Sequence, residues 1–142
     1  MAFLKFFSKE KKEDLDKGLE KTIYTTFLAS AFRSIRFGIT EAHGRGQAIQ
    51  MNYLLDNGSF VATASGTFAV DTAKIRQGVI DLTREFLTLE AEGNYAKARQ
   101  MMETLGVIRP NTQAVLDKLT GVPVDIAPRF VTAAQLTKSV GP

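Results

Sequence analysis

The chain has 142 residues, 44% of them apolar and 23% charged, with a formal net charge of +3, the composition of one ordinary globular domain. It holds no cysteine and a single histidine, which excludes a disulfide framework, a thiolate metal site and a cysteine nucleophile and is compatible with the reducing, cytoplasmic setting expected for it. No apolar run approaches the ~20 residues that span a bilayer, and the basic residues alternate with acids instead of clustering with aromatics, so nucleic acid is not an expected partner.

The first 22 residues, MAFLKFFSKEKKEDLDKGLEKT, differ from the rest, with six lysines and five acids. Phe3, Phe7, Leu15, Leu19 and Ile23 recur at multiples of four, so a helix here carries an apolar stripe with lysines beside it. Such an extension either frays in solvent or makes weak contact with an anionic membrane surface or a partner helix. Five acids where a signal peptide carries positive charge argue against that role. On composition the chain divides into an N-terminal extension, 1–22, and a body, 23–142.

The body opens with a mostly helical pattern from Ile23 to about Asp56. Phe27, Leu28, Ala31, Phe32 and Ile35 form one apolar face, and Ala48, Ile49, Tyr53 and Leu54 form another. Between them the glycines at 38, 44 and 46 each cost ~1 kcal/mol in a helix interior, which predicts either a break or a close approach by backbone or ligand. Asn57-Gly58 is a turn signal, and SFVAT and TFAV around Ala64-Ser65-Gly66 predict a short β-hairpin or an extended ribbon.

Asp71 is suited to cap the next helix. Ile75, Val79, Leu82, Phe86 and Leu89 follow at spacings of four and three, a core-facing stripe. Gly93-Asn94 breaks that helix and caps another, whose stripe is Tyr95, Ala98, Met102 and Leu105, ended by Gly106. These two helices read as an αα-hairpin. Asn111 is expected to cap a third short helix with Val115, Leu116 and Leu119, ended by Gly121. The tail VPVDIAPRFVTAAQL, with its internal prolines, is expected to be extended. The fold class is mainly α with a small β-hairpin, α+β.

Little chemistry is self-contained here. One histidine without cysteine or an H-E-x-x-H pair cannot assemble a zinc site, which needs about three protein ligands. No G-x-S-x-G elbow accompanies the serines. What remains is EAHGRGQ, where Gly44 and Gly46 clear space around His43, Arg45 and Gln47. In a helix His43 and Gln47 share a face at i, i+4 and could polarise a carbonyl or hold an oxyanion. Arg129, in IAPRF, can present a bidentate fork to a carboxylate from a stiff segment, or form a surface ion pair.

Two resemblances add to this reading. FFSKEKKEDLDKGLEKT is similar to the start of the bacterial signal-recognition-particle receptor, but the likeness stops at Thr22. No G-x-x-x-x-G-K-[ST] loop follows, so GTP binding is not implied. SIRFGITEAHGRGQAIQMNYLL, the block DTAKIRQGVIDLTREFLTLEAEGNYAKARQMME and the PVDIAPRFV tail, within about Ile23 to Leu136, resemble the C-terminal end of the dipeptidyl peptidase III family. Those are zinc peptidases that release dipeptides from oligopeptide N-termini. The two likenesses meet near residue 22, as in a chimera.

The second resemblance implies roles. His43 matches the family's histidine outside the zinc shell, which contacts the substrate backbone and the transition state. Arg129 matches an arginine facing the peptide's carboxylate side, and Arg45 and Gln47 occupy a stretch of further substrate-facing groups. The family's H-E-x-x-G-H motif and downstream glutamate precede this region and are absent here, so no cofactor is expected in the chain although the full-length family uses zinc. The expected function is a helical C-terminal piece of such a peptidase, keeping substrate-cleft residues but inactive alone, with peptide as partner only once a zinc-bearing domain completes it. The alternative is a membrane-peripheral or protein-interaction module working through residues 1–22. A stripe made to pack inside a larger domain also predicts self-association.

Overall fold

The first described helix, α1, runs Lys17–Ile35 and passes through Thr22 without a break. The computed structural model describes residues 17–123, with side chains from Thr22 onward. Residues 1–16 and the tail from 124, with Arg129 and the expected extended segment, lie outside the described residues. Tyr24, Leu28, Ala31 and Ile35, spaced four, three and four apart, are the buried positions of α1, one stripe of a 3.6-residue helix. Phe27 and Phe32 pack against that stripe from its edges, half-buried.

The second helix, α2, is Ala42–Asp56. It is the element around which the others gather, touching α1, the first strand and both helices of the hairpin described below. Ala48, Ile49 and Leu54 are buried as the pattern predicted, and Met51 and Asn52 join them. Fully burying a side chain of the size of Met51, Leu54 or Phe60 stabilises the fold by roughly 1.5–3 kcal/mol.

After the Asn57-Gly58 turn, with Gly58 at φ 73°, come β1, Phe60–Ala62, and β2, Phe68–Val70. They pair antiparallel with Phe60 opposite Val70 and Ala62 opposite Phe68. The ambiguity between ribbon and hairpin thus resolves to a hairpin. Its inner face meets α1 through rings, Phe27 on Phe60 at 6.0 Å and Phe32 edge-on to Phe68 at 4.9 Å, within the range of favourable aromatic pairs.

The third helix, α3, is Ile75–Glu92. It begins one turn later than Asp71 predicted. Asp71 Oδ1 accepts from the backbone N–H groups of Ala73 and Lys74 at 2.9 and 3.2 Å, so it caps a lead-in turn instead of the helix itself. Gly93, in the left-handed region, ends α3, and Asn94 caps α4, Tyr95–Leu105, by accepting from the Lys97 N–H, as expected. Lys97 also reaches back to Glu85 at 2.6 Å, joining the two helices.

The stripes of this αα-hairpin are only partly covered. Ile75, Leu82 and Leu89 are buried and Val79 half-buried, but Phe86 is exposed, and no residue of α4 is buried. Tyr95 is 89% exposed. The reason is an open apolar groove between α3 and α4, bordered by Ile49, Phe86, Leu89, Tyr95, Met101 and Met102, which no other described segment fills.

The last described helix, α5, is Pro110–Lys118. Its cap is Arg109, not Asn111. Proline fits the first helical position because it lacks the N–H that would be unpaired there and its φ is already helical. Asn111 instead accepts, through its side chain, from the Thr112 N–H. Arg109 spends its side chain on Asp56 at the end of α2, with two hydrogen bonds of 2.6 and 2.8 Å. Those bonds hold the Asp56 carboxyl below the usual carboxylate range, with burial pulling the other way.

That pair sets a pH dependence. A carboxylate whose folded pKa is depressed contributes stability above its unfolded value, about 3.9, and loses it as pH falls through the lowered folded one. Because both groups are partly exposed, the contribution is about 1 kcal/mol or less. Melting curves of the wild type and Arg109→Met are therefore expected to differ at neutral pH and to converge in strong acid. Curves that stay equally separated at both would remove the pair as the cause.

Candidate functional site

The site is built where α1 gives way to α2. Gly38 makes the reversal possible, at φ 96°, where residues with a Cβ are strained, and its N–H closes the end of α1 on the Ile35 carbonyl at 2.8 Å. The glycine cluster thus does two different things. The break comes at Gly38, whereas Gly44 and Gly46 lie inside α2. Gly44 is there because of a close approach, since a Cβ on it would stand 1.9 Å from the Gly38 carbonyl oxygen.

This contact presents the first turn of α2. Glu41 occupies the N-cap position in extended conformation but makes no side-chain cap, so the leading N–H groups of the helix are not used by a capping side chain. His43, second in the helix, is exposed. Gln47 follows one turn later on the same face, half-buried, and its Oε1 is buried without a hydrogen-bond partner among the described residues. A buried acceptor left unpaired costs about 1–3 kcal/mol, so a donor from beyond the described residues is expected to meet it.

Arg45 points elsewhere. Its Nε donates to the Ile39 carbonyl at 3.0 Å, and its stem lies along Gly106 at the end of α4. The structure therefore brings His43, Arg45 and Gln47 into one turn and a half of helix. Arg129 lies outside the described residues.

Two features of this region were not legible in advance. The Gly38–Gly44 contact was hinted at by glycine density, but which glycine bends and which packs is a tertiary matter. Asn52 gave no signal at all: it is buried, and its Nδ2 donates to the carbonyls of Leu105 at 2.7 Å and Val107 at 2.9 Å, tying α2 to the chain leaving α4.

The donor set does not fit zinc. The chain's single histidine is exposed and there is no cysteine. Among the described residues no three His, Cys, Asp or Glu side chains gather. No described helix is long and apolar enough to cross a membrane.

No family model matches the chain. Among curated proteins, Nudix hydrolase 3 of Arabidopsis thaliana is 44% identical over 124 residues, which is 86% of this chain but 16% of that protein. Among solved structures, dipeptidyl-peptidase III from Corallococcus sp. strain EGB matches with a TM-score of 0.82 at 50% identity. DPP III from Caldithrix abyssi matches with a TM-score of 0.82 at 39% identity. Each of these covers 98% of this chain and 26% of the solved one. The described helices, the hairpin and their order follow that architecture, and the chain is similar to a segment of these dipeptidyl-peptidase III structures, spanning about a quarter of their length.

Proposed function

We propose that this segment is the peptide-contacting portion of a dipeptidyl-peptidase III-like cleft and that it does not cleave peptides by itself. The observation carrying the reading is Gln47 Oε1, a buried acceptor without a partner among the described residues, one turn from the exposed His43. An extended peptide presents N–H and C=O groups in alternation, so it offers an acceptor to a His43 N–H and, with the Gln47 side chain turned outward, a donor to its oxygen. Arg45 stands beside them, and Arg129 is assigned the peptide's carboxylate. Hydrolysis needs a group that activates water, and the donor set here does not hold the family's zinc. The name of the Arabidopsis relative records a different hydrolase, but this segment covers only 16% of it. The peptidase reading therefore leans on the two solved structures.

The test uses the 142-residue chain, zinc and tetra-alanine. No dipeptide is expected to form, while the peptide should shift the imidazole NMR signals of the only histidine. Gln47→Leu should weaken that response about tenfold, the effect of one lost hydrogen bond. Dipeptide release that His43→Ala abolishes would overturn the claim of inactivity, and imidazole signals indifferent to peptide would overturn the claim of binding.

A further inference from the structure

We infer that Arg45 is a positioning residue, which clamps the loop at 38–41 to the first turn of α2 and so sets where the His43 imidazole stands. Its importance rests on the proposed role of His43, but its geometry is independent of that role. Three elements meet at this one residue. Nε donates to the Ile39 carbonyl, 3.0 Å away, in the loop that leads into the helix. The Arg45 backbone N–H donates to the Glu41 carbonyl at 3.1 Å, the hydrogen bond that opens α2. The aliphatic stem runs past the end of α4, with Cγ 3.0 Å from where a Cβ on Gly106 would stand.

Each contact restrains a different motion. The Ile39 bond ties the loop to the helix, and the stem ties the helix to α4. The missing Cβ of Gly44 lets the Gly38 carbonyl press against the same turn. His43 lies between Gly44 and the loop, two residues before Arg45, so its backbone is held on both sides. An arginine that only bound ligand would keep its head free. Here one of its donors is already committed to a backbone carbonyl, and the planar guanidinium is oriented by that bond.

The single imidazole makes the test direct, because its two carbon-bound protons each give one NMR cross-peak. In the chain without peptide, Arg45→Met keeps the stem and removes the donor. It is expected to move the His43 cross-peaks and the backbone amides of 38–44 while leaving those of the β-hairpin in place. Arg45→Lys restores a donor and should return them part of the way. Unmoved His43 signals in Arg45→Met would overturn the inference whatever peptide does.

With peptide, Arg45→Met should weaken tetra-alanine and its C-terminal amide by the same factor, about tenfold. A loss confined to the free acid would mean that Arg45 contacts the carboxylate directly, and the positioning role would fall. If wild-type His43 ignores peptide, the proposed function fails while the shifts in the free chain still decide the role of Arg45.

Discussion

Gly44→Ala is expected to destabilise the chain by about 3 kcal/mol, whereas Gly46→Ala, two residues on in the same helix, is expected to stabilise it by up to about 1 kcal/mol. Propensity alone predicts a gain at both positions, since glycine inside a helix costs conformational entropy that alanine does not. Tertiary structure separates them. A Cβ on Gly46 meets nothing within 4 Å, whereas one on Gly44 stands 1.9 Å from the Gly38 oxygen and 3.0 Å from the carbon bearing it. That neighbour is backbone at positive φ, so it cannot rotate away as a side chain would, and either the turn or the start of α2 must move. Urea denaturation of the two variants checks this, with the midpoints shifting in opposite directions at constant slope. Equal shifts would remove the contact as the reason for Gly44.

The second large effect is expected at Asn52. It is one of the few polar side chains buried among the described residues, and its Nδ2 bridges the Leu105 and Val107 carbonyls. Asn52→Leu is close in volume but strips the Leu105 and Val107 carbonyls of their shared donor. A loss of about 2–4 kcal/mol is expected, more than a single exposed hydrogen bond is worth. Hydrogen exchange should localise it, with faster exchange at the end of α4 and the 106–109 connection and little change in the hairpin. A loss below about 0.5 kcal/mol, the level of an ordinary surface substitution, would show that water enters and takes over the bridge.

Local signals in the chain were reliable where a residue acts through its own backbone. Asn57-Gly58 and Gly93-Asn94 turn where their φ preferences allow, and the alternation in SFVAT and TFAV pairs as a hairpin because phenylalanines on one face meet α1. Misreadings came where two local preferences competed. Asp71 and Asn111 are both good caps by type, yet one caps a lead-in turn and the other yields to Pro110, whose fixed φ takes the first helical position. The stripe through Phe86 and the one through Tyr95 and Met102 are apolar by pattern but uncovered. Periodicity reports which face is apolar and not whether anything lies against it.

The candidate site divides in the same way. By itself the sequence determined that the chain is mainly helical with one hairpin. It singled out one histidine, set among glycines and polar donors, because these follow from periodicity, residue type and count. The tertiary structure alone decided that Gly38 bends while Gly44 packs. It also decided that Arg45 turns back to the Ile39 carbonyl and that the Gln47 oxygen is buried without a donor among the described residues. Each of those depends on how near a second segment comes, and that distance is set by the packing of α1, α2 and α4 together rather than by any residue's own preference.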